Sequence, residues 1–95
     1  MDKREEDIMV SQKVTVCNPS GIHARPAATL AKTCTPFKSN IVLVVGEKRI
    51  VAKSVLNLMS AAIKCGTEIE VECDGADENE ALAAVVGAIE SGLGE

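Results

Sequence analysis

Glu68-Ile69-Glu70-Val71-Glu72-Cys73 alternates a carboxylate with a small or branched apolar side chain at every step. Successive side chains of an extended chain point to opposite faces, so this segment reads as a strand with one wet acidic face and one buried face. It is the clearest strand in the chain, and the neighbouring elements must supply what covers its apolar side.

Those elements follow from punctuation and periodicity. Val14 and Val16, with alternating neighbours, suggest a half-buried strand ended by Asn18-Pro19-Ser20-Gly21, four turn-forming residues in a row. A helix follows that tolerates Pro26 in its first turn, sets Ala27, Leu30, Ala31 and Cys34 on one face, and stops at Pro36. Ile41 to Val45 and Arg49 to Ala52 read as two strands joined around Gly46-Glu47. Ser54 can cap a second helix carrying Val55, Leu56, Leu58, Met59, Ala62 and Ile63 and ending at Cys65-Gly66. Its apolar arc is wider than one packing face needs, which leaves an edge for a partner. Asp77 with Glu80 resembles a capping box, followed by the core-facing stripe Leu82, Val85, Val86 and Ile89 before Gly92. The order β-α-β-β-α-β-α predicts an α+β fold: one antiparallel sheet with the helices on one face. Residues 1–12, dense in charge and without apolar period, read as a flexible extension, and residues 13–95 as one domain.

Composition narrows the function. In 95 residues there is little room for a deep enclosed catalytic pocket beside the core, so any chemistry belongs on the surface. The apolar fraction is 46% but Phe37 is the sole aromatic, which calls for an aliphatic core. A net charge of −4 and the lack of aromatic stacking platforms argue against nucleic acid as a partner. No apolar run reaches the length of a signal-peptide core or a membrane span, so a cytoplasmic protein without membrane insertion is expected. Cys17, Cys34, Cys65 and Cys73 have no Cys-x-x-Cys spacing and only one histidine to join them, so no metal site is expected. The thiols are expected reduced, as small core residues.

That histidine, His23, lies between a glycine turn and the first turn of a helix. Helix N-termini leave N–H groups without internal acceptors and carry positive partial charge, so an anion is held well there. Histidine titrates near neutrality, and its neutral form offers a nucleophilic ring nitrogen. Arg25 supplies a forked, permanent cation that opposes the helix dipole unless an anion visits. Ser20 adds a hydroxyl, so three phosphate-compatible groups fall within six residues.

Gly21-Ile22-His23-Ala24-Arg25-Pro26 resembles the phosphohistidine site of HPr, the family of small carriers of the bacterial sugar phosphotransferase system. The resemblance extends over approximately residues 13–95, and Lys53-Ser54 stands at the expected distance. It implies an open-faced sandwich, a four-stranded antiparallel sheet covered on one face by three helices. It implies a phosphocarrier and not an enzyme, monomeric and without cofactor. His23 would receive a phosphoryl group on Nδ1 from enzyme I and pass it to IIA domains of sugar permeases. Arg25 would stabilise the phosphoryl charge, with Ser20 and the N–H groups near His23 and Ala24 as secondary donors.

Ser54 would be the acceptor of an HPr kinase/phosphorylase, which makes an effector for a catabolite-control repressor, and Val55, Leu56 and Met59 would form the shared partner patch. A rival reading is a regulatory relative, nitrogen-branch or dihydroxyacetone-kinase-linked, whose phosphorylation state controls partner proteins. The chain departs from common members in its first eight residues, its four cysteines, and Asn57 at a helix position that often bears glycine or lysine.

Overall fold

The acidic alternation is realised as β4 (Glu68–Asp74), in which Ile69, Val71 and Cys73 are buried and the carboxylates between them reach solvent. The structure, a computed structural model, describes residues 9–94. β4 is paired on both sides. β1 (Val10–Thr15) runs antiparallel along one edge and sets Val14 opposite Ile69, while β2 (Asn40–Val45) runs antiparallel along the other and sets Leu43 opposite Val71. β3 (Lys48–Val51) pairs with β2 and places Ile50 opposite Leu43, giving the order β1-β4-β2-β3. Val71, Leu43 and Ile50 therefore form one continuous apolar row across three strands, all three buried. The β2–β3 turn is the two-residue connection read at Gly46-Glu47, with Gly46 at φ +62°, a value glycine adopts without strain.

Three helices cover that row: α1 (Ala24–Cys34), α2 (Val55–Ser60) and α3 (Glu78–Glu90). α1 buries Ala27, Leu30, Ala31 and Cys34, and α3 buries Ala81, Val85, Val86 and Ile89. The architecture is the four-stranded antiparallel sheet with three helices expected from the sequence. No helix among the described residues is long and apolar enough to cross a membrane.

Several local expectations are corrected. The ordered domain begins before Lys13: Val10, Ser11 and Gln12 pair with Cys73, Glu72 and Val71, because an edge strand gains ladder bonds even where its side chains are polar. Of the extension read over residues 1–12, residues 1–8 lie outside the described residues. The second helix ends at Ser60 and not at Cys65-Gly66; Ala62 turns left-handed at φ +54° and Ile63 leaves to bridge Ile22. Asp77 precedes α3 but makes no side-chain cap. Its carboxylate instead accepts bonds from the Lys38 N–H (2.9 Å), the Ser39 N–H (2.9 Å) and the Ser39 hydroxyl, which fasten the α1–β2 connection to the start of α3. These donors hold the Asp77 carboxyl below the usual aspartate range. Glu78 reaches back to the Gly75 N–H at 3.1 Å. Leu82 is partly buried, whereas Leu93, beyond the stripe, is fully buried.

The cysteines divide. Cys34 and Cys73 are core residues, and burial pushes their thiols up to about 12 and about 11. Cys17 and Cys65 are exposed, contrary to a uniform core role: Cys17 shares the outward parity of Lys13 and Thr15 and not the inward parity of Val14 and Val16, and Cys65 lies in the turn before β4.

Candidate functional site

The loop before α1 is built around a buried polar residue. Asn18 is 1% exposed; its carbonyl accepts the Gly21 N–H at 3.0 Å, and its side-chain amide donates to the Gly21 carbonyl, closing the Asn18-Pro19-Ser20-Gly21 turn. Gly21 sits at φ +70°, and a Cβ there would fall 2.4 Å from the Ile63 carbonyl oxygen, so no side chain fits without displacing that strand of chain. The close approach lets the Ile22 N–H donate to the same Ile63 oxygen at 2.8 Å, with the Ile22 side chain buried.

His23 follows as the N-cap of α1. Its backbone is extended (φ −117°, ψ −152°), its carbonyl accepts the Ala27 N–H at 2.7 Å, and its side chain does not cap the helix. The histidine thus stands between the glycine turn and the first turn of the helix, where the sequence places it. Pro26, third in the helix, has no N–H to give, so the donors of this terminus without an intrahelical acceptor are those of Ala24 and Arg25. No acidic residue stands in the first turn. Ser20, His23 and Arg25 are all exposed while Ile22, Pro26 and Ala27 are buried, so the polar groups share one wet lip above an apolar base. That arrangement can accept a transient anion from another macromolecule without moving the core.

Ser54 caps α2 as expected, its hydroxyl oxygen accepting the Asn57 N–H at 3.2 Å. Beside it, the Lys53 ammonium donates to the Phe37 carbonyl, tying the start of α2 to the end of the α1 turn. Leu58 is the buried residue of α2. Val55, Leu56 and Met59 are 37%, 72% and 43% exposed, so the wide apolar arc does leave a solvent-facing edge. The chain leaving α2 is the one bonded to Ile22, which connects this helix to the His23 loop.

The sequence reading did not single out Asn18 or Ile63. In the sequence Asn18 is one of four consecutive turn formers, and only its burial marks it as the residue that folds the loop; Ile63 has the spacing of a helix face. A shallow cleft of about 370 Å³ lies on the wet face of the sheet, lined by Met9, Val42, Arg49, Val51 and Glu72 among others, and does not include His23. Arg49 is bound there to Glu72 at 2.8 Å. Among the described residues, no cluster of three or more His, Cys, Asp or Glu side chains is arranged to hold a metal ion.

Comparison with known proteins returns one consistent similarity. A family profile described as "PTS HPr component phosphorylation site" matches residues 10–91. The phosphocarrier protein HPr of Mycoplasma capricolum is 42% identical over 77 residues, covering 81% of this chain and 86% of that protein. Among solved structures, an HPr from Thermoanaerobacter tengcongensis superposes with a TM-score of 0.86 at 36% identity, covering 90% of this chain and 97% of that one. An HPr dimer from the same organism superposes with a TM-score of 0.72 at 38% identity, covering 86% and 94%.

Proposed function

The chain belongs to the HPr family of phosphocarriers of the phosphotransferase system, and on that basis we propose that His23 takes a phosphoryl group from phosphorylated enzyme I and hands it to IIA domains of sugar permeases. The observation that carries the reading is an exposed histidine at the N-cap of α1, followed by a first turn that holds Arg25 and no acidic residue. In the transfer, the lone pair of the neutral Nδ1 attacks phosphorus, the bond to the donor breaks, and the donor group leaves with the electron pair. Arg25 and the Ala24 and Arg25 N–H groups balance the oxygen charge as it shifts between donor and acceptor. A lip with few contacts suits a relay, because tight binding of the phosphoryl group would hold it in place and slow the second transfer.

Incubation with phosphoenolpyruvate and enzyme I, followed by mapping of acid-labile phosphate, tests this. One labelled site at His23 is expected, absent from a folded His23→Ala variant; labelling that survives the substitution would falsify the assignment. Gel filtration of the same sample checks the expected monomer against the dimer known for a relative.

Ser54 is the regulatory acceptor in this reading, serving an HPr kinase/phosphorylase and a catabolite-control repressor. Its hydroxyl is half-buried at the start of α2 and adjoins Val55, Leu56 and Met59, so a phosphate there would change the charge of the patch without entering the core. Ser54→Asp should keep the fold, since Asp also caps a helix, and should weaken transfer from enzyme I. Unchanged transfer across a range of salt concentrations would remove α2 from the docking surface.

A further inference from the structure

We infer that the turn after α2, through the Ile63 carbonyl and the glycine contact at Gly21, is a positioning element for the His23 backbone; the inference rests on the carrier reading above. The histidine is fixed by its backbone from two sides. On its C-terminal side the His23 carbonyl is held by the Ala27 N–H at 2.7 Å, and on its N-terminal side the neighbouring Ile22 N–H is held by the Ile63 oxygen at 2.8 Å. The second hold comes from a segment forty positions along the chain, and two unusual backbone conformations make it possible. Ala62 turns left-handed at φ +54°, which redirects the chain out of α2 and into the bridge. Gly21, at φ +70°, leaves the gap into which the Ile63 oxygen and the Lys64 Cα fit, where a Cβ would lie 2.4 and 2.9 Å from them. Ile22 and Ile63 are both buried, so the bridge is shielded from water that would compete for it.

The backbone bonds on either side of His23 set the place of its Cα, and with it the reach of the ring. Phosphoryl transfer needs the nucleophile in line with the breaking bond, and a displacement of about 1 Å can lower a rate about a hundredfold. Gly21 and Ile63 touch neither donor nor phosphoryl group and act through Ile22.

The test is Gly21→Ala, with Gly75→Ala as the matched control. Gly75 is also at positive φ and also meets backbone, its Cβ position lying 2.7 Å from the Ser39 Cα, but it belongs to the Asp77–Ser39 fastening. Both variants are assayed well below their unfolding midpoints. Gly21→Ala should lower kcat for transfer from enzyme I about tenfold or more while KM stays within about twofold, because the α2 patch is untouched. The His23 ring-proton resonances should move as well. Gly75→Ala should leave kcat and the imidazole signals at wild-type values. Wild-type kcat and unmoved ring signals in Gly21→Ala overturn the inference, as does an equal kcat loss in Gly75→Ala. If Gly21→Ala does not fold, Ile63→Ala, which loosens the packing under the bridge without a clash, must show the same kcat loss at held KM. If the wild-type protein accepts no phosphoryl group, the carrier reading has failed, and the imidazole spectra alone decide the positioning claim.

Discussion

Replacing Ala62 by glycine should stabilise the protein, although glycine at most positions weakens a fold. Ala62 is in the left-handed region at φ +54°, where an L-residue bears about 1–2 kcal/mol of crowding between Cβ and the carbonyl oxygen. Its methyl group is exposed, so removing it forfeits little burial. Against the relieved crowding stands the larger conformational freedom of glycine in the unfolded chain, about 0.4–1 kcal/mol. The difference is a gain of about 0.5–1 kcal/mol, which in a chain of this size raises Tm by about 2–8 °C. Ala61 supplies the control. It ends α2 in right-handed geometry at φ −71°, ψ −19° and packs partly against the core, so Ala61→Gly should destabilise by about 0.5–1 kcal/mol or more. Urea unfolding with both variants at unchanged m would give the two signs directly. If Ala62→Gly lowers the midpoint as Ala61→Gly does, the left-handed turn does not exist in solution, and the route by which Ile63 reaches Ile22 must be different.

Arg25→Ala should slow transfer to His23 by about 2–4 kcal/mol of barrier, the loss typical of one preorganised donor, with the unfolding midpoint nearly unchanged; a normal rate would leave the charge to Ser20 and the backbone N–H groups. Leu56 and Leu58 are two positions apart but differ in environment, 72% against 0% exposed. Leu58→Ala should cost about 2–5 kcal/mol of stability, whereas Leu56→Ala should stay within about 0.5 kcal/mol and weaken only partner binding, and calorimetry on the pair that found similar losses would contradict this packing of α2. Asp77 provides a pH-dependent test. Its folded-state pKa lies below the unfolded value, so its stabilisation is fully present above the usual aspartate range and is lost as pH falls through the folded pKa. Asp77→Asn should therefore lower the urea midpoint at neutral pH, with the difference from wild type shrinking in acid; a pH-independent difference would show that the Ser39 and Lys38 contacts do not favour the carboxylate.

Local pattern was sufficient for much of this molecule. The Glu68–Cys73 alternation, the stripe Ala27-Leu30-Ala31-Cys34, the Gly46-Glu47 turn and the Ser54 cap all appear where their residues required, because each depends on side-chain direction or on a bond spanning three or four positions. The candidate site was legible for the same reason: Ser20, His23 and Arg25 are neighbours in sequence, and a turn running into a helix is a local event.

What the tertiary structure decided concerns bonds between distant segments. The periodicity of Val55 to Ile63 allows a helix up to Gly66, yet the helix stops at Ser60 because the Ile63 backbone is better satisfied against Ile22, a partner that no window around residue 60 contains. Asp77 has the spacing of a cap, but its carboxylate is taken by Ser39, thirty-eight residues earlier. Ser11 and Gln12 look like tail until β4 offers them a ladder. Apolar spacing reports which face of an element is buried; it carries no information about which remote N–H or carbonyl completes the backbone hydrogen bonds, and those completions set the ends of the elements and the seat of His23.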